Sequence, residues 1–273
     1  MAHTTQNNRT FVGDMYQPTI TNEEINEMPV GHFPGRVLVV DSEETMREAE
    51  AVLQGETLVG YDTETRPSFQ KGLKYGMALV QISTADTALL FRVKQVPLSE
   101  TIRAMLSSPD VIKVGAALRD DIRGMRQVAE FRPAGFVDLQ AVVRRWGIEE
   151  LSVKKMAAII LGIKVSKAQR LTNWEAVRLT EPQQDYAAMD AWVCREIYLR
   201  LQADDSALLA EAVRGLLQQQ PEGEMPSGRK LHARRNKRNP SGARRRTRRK
   251  AAAQRTASAD NPTTHLESTA QHD

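Results

Sequence analysis

Five residues in three separated segments have the types and spacing expected of a metal-dependent hydrolytic site. Asp62 and Glu64 form an Asp-x-Glu pair, Asp121 follows, and Tyr186 and Asp190 come last. Carboxylate oxygens are the ligands that Mg²⁺ and Mn²⁺ prefer, and these ions keep coordination positions open for phosphate and water. Together the five residues predict a metal cage for phosphodiester hydrolysis.

The Asp-x-Glu pair follows a short apolar run that is rich in strand-forming residues, from Thr57 to Tyr61. Residues i and i+2 of a strand share a face, so both carboxylates would project together from a central strand. The pair alone is a weak signal, because a solvated strand end can have the same sequence.

The last pair lies in a predicted helix that begins after Thr180, a suitable cap, with Pro182 in the first turn. Tyr186 and Asp190 are one turn apart and share a face of this helix. Apolar neighbours surround them, and an aspartate near a buried face needs a partner or a cation. A partly exposed helix with an ordinary Tyr/Asp pair is the structural alternative.

The middle segment, residues 111–125, predicts a buried strand, a glycine that permits close approach, and a helix that opens with Asp120 and Asp121. Negative side chains also stabilise a helix N-terminus. Ligation of a metal and a purely structural role therefore both remain open for these two acids.

These three segments, in this order, resemble the DEDD superfamily of 3′-to-5′ exonucleases, in its tyrosine-bearing subclass. The resemblance is to the exonuclease domains of Werner-syndrome-type and ribonuclease D-type proteins, and it covers roughly residues 34–204. Within Lys113–Asp121 the family pattern of Val-Gly, a Leu three residues on and an Asp three further selects Asp121 rather than Asp120. Residues 170–174 also resemble the segment that precedes the final motif in bacterial members.

The resemblance implies an α/β fold of the RNase H-like type, with a mixed five- to six-stranded sheet and helices on both faces. It implies that Asp62, Glu64, Asp121 and Asp190 hold two divalent ions, Mg²⁺ or Mn²⁺. One ion would activate water and the other would stabilise the leaving 3′ oxygen. Tyr186 would orient the attacking water, since a phenol with a pKa near 10 is a poor general base at neutral pH.

Further residues are candidates for substrate binding, because they are basic, aromatic or polar and lie beside the motifs. In similar enzymes the loop after the acid pair lines the substrate cleft, and a solvated loop is the alternative. The candidates for phosphate or base contacts are Thr65, Arg66, Phe69, Lys71, Lys74, Lys167 and Arg170.

The elements that must position these residues follow from hydrophobic periodicity and from cap and turn residues. The predicted strands are Arg36–Val40, Thr57–Asp62, Met77–Ser83, Ala88–Val93, Ile112–Ala116 and Phe136–Asp138. The predicted helices are Glu43–Leu53, Ser99–Leu106, Asp120–Val128, Leu139–Trp146, Ser152–Leu161, Glu181–Leu201 and Ser206–Gln220.

Length and composition are consistent with one catalytic domain and two flanking segments. With 273 residues and 41% hydrophobic content the chain can bury one core, predicted over residues 34–220. Residues 1–33 read as a polar N-terminal arm. The single cysteine excludes an intrachain disulfide, and no run of 18 apolar residues or hydrophobic signal region occurs. We therefore expect a soluble, cytoplasmic protein.

Charge divides the chain into two opposed parts. Residues 1–228 contain 25 basic and 31 acidic residues, a net charge of −6, whereas residues 229–273 contain 13 and 3, a net charge of +10. All 13 basic residues of the second part lie between Arg229 and Arg255, and residues 221–273 are predicted to be a disordered basic tail. Such a tail predicts salt-sensitive contacts with nucleic-acid phosphates; an adventitious solvated extension is the alternative.

The sequence thus predicts a nuclease that releases nucleoside 5′-monophosphates from 3′ ends, and two alternatives remain. One is a catalytically silent nucleic-acid-binding protein, although a binder would have no reason to tolerate four mutually repelling carboxylates. The other is RNA 3′-end processing of the ribonuclease D kind. Those relatives usually carry a helical accessory domain after the catalytic one, so DNA is the favoured substrate.

Overall fold

The computed structural model describes residues 15–218; the first 14 residues and the predicted basic tail lie outside this range. The strands are β1 (Arg36–Val40), β2 (Leu58–Thr65), β3 (Met77–Ser83), β4 (Thr87–Phe91), β5 (Ile112–Gly115) and β6 (Phe136–Asp138). The helices are α1 (Asn22–Asn26), α2 (Glu43–Leu53), α3 (Glu100–Ser107), α4 (Leu118–Val128), α5 (Leu139–Val142), α6 (Val153–Leu161), α7 (Glu181–Asp204) and α8 (Ser206–Gln218).

The strands form one mixed sheet in the order β1-β4-β3-β2-β5-β6. Strands β2, β3 and β4 are an antiparallel meander, while β1 runs parallel to β4, and β5 and β6 continue parallel to β2. The predicted mixed sheet is confirmed with six strands. Its central strand, β2, is the strand that bears the Asp-x-Glu pair.

Alternation along the central strands divides the core between the two faces of the sheet. Tyr61 on β2 packs on one face with residues of α2, α3 and α4. Leu79 on β3 packs on the other face, in an apolar cluster with Tyr186 and Ala187 of α7. The predicted cover of helices on both faces is therefore confirmed.

Gly60 allows α7 to approach the centre of the sheet. A Cβ atom built at Gly60 would lie 1.9 Å from the carbonyl oxygen of Ala191, so no other residue fits there without a shift of the helix. Ala191 adjoins Asp190, and Gly60 lies two residues before Asp62. The close contact at Gly60 therefore sets the distance between the two acidic motifs.

Helix α4 begins two residues earlier than predicted, at Leu118, and its start depends on a distant residue. Ala117 adopts a left-handed conformation (φ 59°). The carboxylate of Asp138, at the end of β6, accepts hydrogen bonds from the backbone N–H groups of Ala117 and Leu118, each at 3.1 Å. A cap contributed from 20 residues away leaves no local sequence signal.

Other boundaries also differ from the predictions, and strand β2 extends to Thr65 instead of ending at Asp62. Strand β4 starts one residue earlier and ends at Phe91 instead of Val93, because the N–H of Val93 turns to bond the carbonyl of Phe91. The helix predicted over residues 139–146 divides into α5 and a 3₁₀ turn that Gly147 closes with a positive φ of 76°.

The described part of the N-terminal segment, residues 15–33, packs against the domain. Helix α1 has a capping box between Thr21 and Glu24, and Ile25 is fully buried. Further on, the backbone of Gly31 donates a hydrogen bond of 2.9 Å to the carbonyl of Lys164. This segment was set apart in sequence by its polar composition, yet Ile20 and Ile25 are buried against the domain.

Candidate active site

Strand β2 presents the Asp-x-Glu pair on one face of the sheet. Asp62 and Glu64 both lie within the strand, which extends to Thr65, and they pair in register with Gln81 and Leu79 of β3. The register shifts between Glu64 and Thr65. Both carboxylates therefore project from regular strand just before an irregularity ends it.

Helix α7 brings the last motif over this face. Thr180 caps the helix in a capping box with Gln183. The close contact at Gly60 then places Asp190 against the strand acids. One carboxylate oxygen from each of Asp62, Glu64 and Asp190 lies within 4.8 Å of the others. Three of the four predicted metal ligands thus converge from segments more than 120 positions apart.

Asp121 does not belong to this group of three. Its Oδ1 accepts a hydrogen bond of 2.5 Å from the hydroxyl of Thr63, which lies between the strand acids. Its negative charge still raises the pKa of Asp62 and of Glu64. The neighbouring Asp120 is exposed and pairs with Arg123 at 2.8 Å, so of the two adjacent acids only Asp121 faces the site.

Burial and mutual repulsion raise the pKa values of the carboxylates. Burial, followed by the charges of Asp190, Glu64 and Asp121, raises the pKa of Asp62 well above its usual range. Burial and the charge of Asp190 raise the pKa of Glu64 to about 8. Burial raises the pKa of Asp190 to about 7, against the opposing effects of Tyr186 and Lys167. A divalent cation would reverse these shifts by stabilising the ionised forms.

Tyr186 lies one turn before Asp190 and is almost buried, 9% exposed. Burial and the negative charges of Asp190 and Glu64 raise the pKa of its hydroxyl far above the usual value. The phenol therefore keeps its proton at neutral pH, so that it can donate a hydrogen bond but cannot act as a general base.

Two predicted cations flank the carboxylates. The charge of Lys167 lowers the pKa of Asp190, and the charge of Arg170 lowers the pKa of Glu64. Burial lowers the pKa of Lys167 itself, as do the positive charges of Arg170 and Lys154. Lys154, on α6, was not identified from sequence, because nothing in its helical context distinguishes it from a solvated lysine.

The loop after β2 borders a cavity of about 310 Å³ lined by Arg66, Phe69, Tyr75, Leu171 and Asn173 among others. The guanidinium of Arg66 lies 4.7 Å from the centre of the Tyr75 ring and 3.6 Å from Glu175. Phe69 is 82% exposed. The structure therefore places two of the predicted substrate residues, Arg66 and Phe69, at one concave surface.

The remaining loop candidates lie outside this cavity. Lys71 and Lys74 are exposed and form no ion pair with any residue from 15 to 218. Thr65 is exposed at the irregular end of β2. Their proposed contact with substrate depends on the path that a bound strand takes across this surface.

A second cavity, of about 380 Å³, is lined by Tyr186 and by part of the segment that bears Lys167 and Arg170. Residues His32 and Phe33 of the N-terminal segment line it together with Gln169, Asp185 and Tyr186. Sequence reasoning assigned no site residue before β1, because the docking of this segment depends on backbone contacts with Lys164.

A family model described as 3′-5′ exonuclease matches residues 37–204. The curated relatives include ribonuclease D of Gluconacetobacter diazotrophicus, 29% identical over 171 residues that cover 61% of this chain and 42% of that protein. The bifunctional 3′-5′ exonuclease/ATP-dependent helicase WRN of mouse is 24% identical over 186 residues, covering 64% of this chain and 13% of that one. This chain thus matches less than half the length of either relative.

A solved structure with the same fold is that of Trypanosoma brucei RNase D in complex with RNA U12. It has a TM-score of 0.57 and 19% identity, and the match covers 67% of this chain and 70% of that chain. The predicted RNase H-like fold is thereby confirmed. Within residues 15–218, no helix is long and apolar enough to cross a membrane.

Proposed function

Because this chain belongs to the DEDD-type family of 3′-5′ exonucleases, we propose that it hydrolyses the terminal phosphodiester bond at the 3′ end of a nucleic acid. The products would be a nucleoside 5′-monophosphate and a strand one residue shorter. The observation that carries the proposal is the convergence of Asp62, Glu64 and Asp190 beside the protonated hydroxyl of Tyr186.

The donor set fits divalent metal ions. Hard carboxylate oxygens suit Mg²⁺ or Mn²⁺. Burial raises the pKa values of Asp62, Glu64 and Asp190, and the charges of Lys167 and Arg170 offset this only in part. We propose two ions, held by these three residues and by Asp121. When bound, such ions supply an activated water and stabilise the leaving 3′ oxygen.

The other residues of the site would position the reactants. Tyr186, which keeps its proton, donates a hydrogen bond that orients the attacking water toward the phosphorus. Lys167 and Arg170, whose charges act directly on Asp190 and Glu64, bind the non-bridging oxygens of the phosphate, and Lys154 adds positive charge behind Lys167. Positive charge is suitable at this place because charge accumulates on phosphate oxygens in the transition state.

The cavity beside Arg66 has the features of a nucleotide subsite. Phe69 presents an exposed ring, and stacking on aromatic rings binds bases without regard to sequence. Arg66 is held over Tyr75 and near Glu175, which fixes its guanidinium at the mouth of the cavity. We assign it a backbone phosphate, with Thr65, Lys71 and Lys74 as further contacts along the strand.

The central experiment measures degradation of a 5′-labelled oligonucleotide in Mn²⁺ by the full chain and by Asp62→Ala and Asp190→Ala variants. We expect a ladder of products that shorten from the 3′ end with the full chain, and none with the variants. Substrate binding should remain in both variants. Variants as active as the full chain would refute the assignment, and an inactive full chain that binds the oligonucleotide would favour the silent binding protein.

The sugar of the substrate is the finer part of the proposal. DNA remains the substrate predicted from sequence, while the structure of a neighbour with the same fold contains RNA. Side-by-side digestion of matched single-stranded DNA, duplex DNA and RNA distinguishes these cases. Faster degradation of RNA than of both DNA substrates would favour an RNA 3′-end processing enzyme.

The basic residues between Arg229 and Arg255 are proposed to add affinity that does not depend on sequence. Deletion of residues 229–273 should weaken binding most at low salt, since each neutralised phosphate releases counterions. Turnover at saturating substrate should be unchanged. A loss of turnover at saturation would instead assign the tail a part in catalysis.

A further inference from the structure

Gln81 is a buried polar side chain that has no partner within the described part of the chain. Every residue of β3 is buried, and Gln81 is 0% exposed. Neither its Nε2 nor its Oε1 has a hydrogen-bonding partner among residues 15–218. Buried amides are nearly always hydrogen-bonded, because an unpartnered buried polar group costs free energy of folding. This exception therefore needs an explanation.

The position of Gln81 connects it to the acidic group. In the antiparallel register of β2 and β3, Gln81 lies directly opposite Asp62, and directly opposed residues have side chains on the same face with Cβ atoms about 5 Å apart. Leu79, two residues away on that face, packs with Tyr186 and Ala187 of α7. The side chain of Gln81 thus projects from the same face of the sheet as that of Asp62, the face that α7 covers.

The carboxylate of Asp62 lacks a side-chain hydrogen-bond donor within the described residues. No side-chain donor from residues 15–218 is hydrogen-bonded to its carboxylate, although Thr63 provides such a bond for Asp121. The amide of Gln81 therefore has no partner, and the Asp62 carboxylate, which accepts the backbone N–H of Thr63, has further lone pairs that no side-chain donor of residues 15–218 uses. Directly opposed residues with Cβ atoms about 5 Å apart place this amide within reach of the Asp62 carboxylate.

We propose that Gln81 is a positioning residue whose Nε2–H binds the Asp62 carboxylate oxygen that faces away from the metal site, and so orients Asp62 for ligation. The proposal rests on the metal-dependent function proposed above. Metal-binding carboxylates in proteins are usually held by such outer hydrogen bonds, which fix their orientation.

The residue type suits this role. An acid at position 81 would add a further negative charge to a group that already repels itself, and a lysine or arginine would neutralise the acids and compete with the cation. An amide donates a hydrogen bond without changing the net charge of the site. Gln81 can therefore fix the geometry of Asp62 while leaving its full charge available to a metal.

The test separates positioning from simple packing by measuring two quantities on the full chain. In Gln81→Met, which keeps the length of the side chain, we expect an unchanged or higher melting temperature without metal, because the unpartnered amide is removed. The dissociation constant for Mn²⁺, measured by calorimetry without nucleic acid, should rise about 10–100-fold. Gln81→Asn, which retracts the amide by one methylene, should give an intermediate constant.

Ser83→Ala is the matched control. Ser83 is fully buried on the same face of β3, two residues along, but its hydroxyl already donates to the carbonyl of Thr84 at 3.0 Å. Its replacement should lower the melting temperature slightly and leave the affinity for Mn²⁺ unchanged. Wild-type affinity for Mn²⁺ in both Gln81 variants would overturn the proposal, as would equal losses in Ser83→Ala.

A double mutant distinguishes failure of this inference from failure of the proposed function. Asp62→Asn should itself weaken Mn²⁺ binding, and adding Gln81→Met should then cause little further loss, because Gln81 acts through Asp62. If the two substitutions weaken Mn²⁺ binding additively, Gln81 does not act through Asp62. If Asp62→Asn binds Mn²⁺ as tightly as the wild type, the metal site itself is wrong, whereas a clear effect of Asp62→Asn with silent Gln81 variants refutes only the role of Gln81.

Discussion

Two strands of the sheet bury charged side chains, and they compensate for burial in different ways. On β5, Lys113 is fully buried, and its ammonium donates hydrogen bonds to the backbone carbonyls of Met105, Ser108 and Val111 at 3.2, 2.7 and 2.7 Å. On β2, Asp62 and Glu64 face another acid and form no ion pair within residues 15–218. The charge of Lys113 is compensated by groups of the protein, whereas the charges of Asp62 and Glu64 would be compensated only by a bound cation.

A shifted pKa does not by itself distinguish the two regions. Burial lowers the pKa of Lys113 to about 7, and burial with the charge of Asp190 raises the pKa of Glu64 to about 8. What differs is the set of partners. All three ammonium protons of Lys113 are used by carbonyls at the end of α3 and in the following turn, which stabilises the fold. The carboxylates still have oxygen lone pairs that can bind a cation, as metal ligands must.

The largest effect should come from Asp190→Asn, which keeps the shape of the side chain but removes a ligand charge. We expect nuclease activity in Mn²⁺ to fall by at least about 10²–10³-fold, as when a stabilising group is removed from a transition state. The free energy of unfolding without metal should be unchanged or higher at pH 8, because a repelling charge is lost. Single-turnover digestion and urea unfolding measure the two quantities.

Lys113→Met should show the opposite pattern. It removes the ammonium donor from three backbone carbonyls, of which that of Met105 still accepts from the N–H of Ser108. We expect the free energy of unfolding to fall by about 3 kcal/mol, with activity per folded molecule unchanged. Lys155→Met is the control, because Lys155 pairs with Glu150 in a partly exposed ion pair that should contribute less than about 1 kcal/mol. Loss of activity in folded Lys113→Met would remove the contrast between the regions.

Much of this arrangement was predictable from sequence, because it rests on local periodicity. The alternation that placed Asp62 and Glu64 on one strand face, and the cap and helical spacing that placed Tyr186 and Asp190 on one helix face, are properties of neighbouring residues. The glycine that lets α7 approach β2 was visible in sequence, but its contact with Ala191 was not.

The parts that sequence did not predict depend on distant partners. Asp138 caps α4 from 20 residues away, and His32 reaches the Tyr186 cavity only because the N-terminal segment pairs with Lys164. Gln81 left a signal, as the one amide in a strand whose other residues, apart from Ser83, are apolar. The role of Gln81 could be inferred only from the register of β2 and β3, which places it opposite Asp62.

The pH dependence of stability should also separate the regions, with a smaller effect. Glu64 and Asp190 have pKa values of about 8 and about 7, above the usual values of 4.5 and 3.8, so at these two groups the folded state binds more protons than the unfolded state. Stability without metal should therefore fall as pH rises from 4 toward 7. Above pH 7 the lowered pKa of Lys113 acts in the opposite direction, because the lysine of the unfolded chain keeps its proton.

Thermal unfolding in buffers from pH 5 to pH 9 measures this trend, and Asp190→Asn should flatten it. Mn²⁺ should raise the melting temperature more at pH 8 than at pH 6, because fewer protons then compete for the carboxylates. An increase in metal-free stability from pH 5 to pH 7, below the range in which Lys113 titrates, would show that the acids are already compensated within the protein.

Asp121 shares properties with both regions, and its variants should show the smallest effect on activity. It has a partner, the hydroxyl of Thr63, yet its charge raises the pKa values of Asp62 and Glu64. If Asp121 joins the ligands once metal binds, Asp121→Asn should lower activity by about 10–100-fold and raise the Mn²⁺ concentration needed for half-maximal activity. Thr63→Val should lower activity less than tenfold, because it removes only the group that holds Asp121.

Asp120→Asn is the control, since Asp120 is one residue away, exposed and paired with Arg123; its activity should equal that of the wild type. If Asp121→Asn also has wild-type activity, Asp121 is not a metal ligand. It is then a charged group like Lys113, whose charge is compensated by a partner within the fold. A loss confined to Asp121→Asn and Thr63→Val would instead show that a hydrogen bond within the fold can hold a ligand ready, so that one partner does not exclude a group from the site.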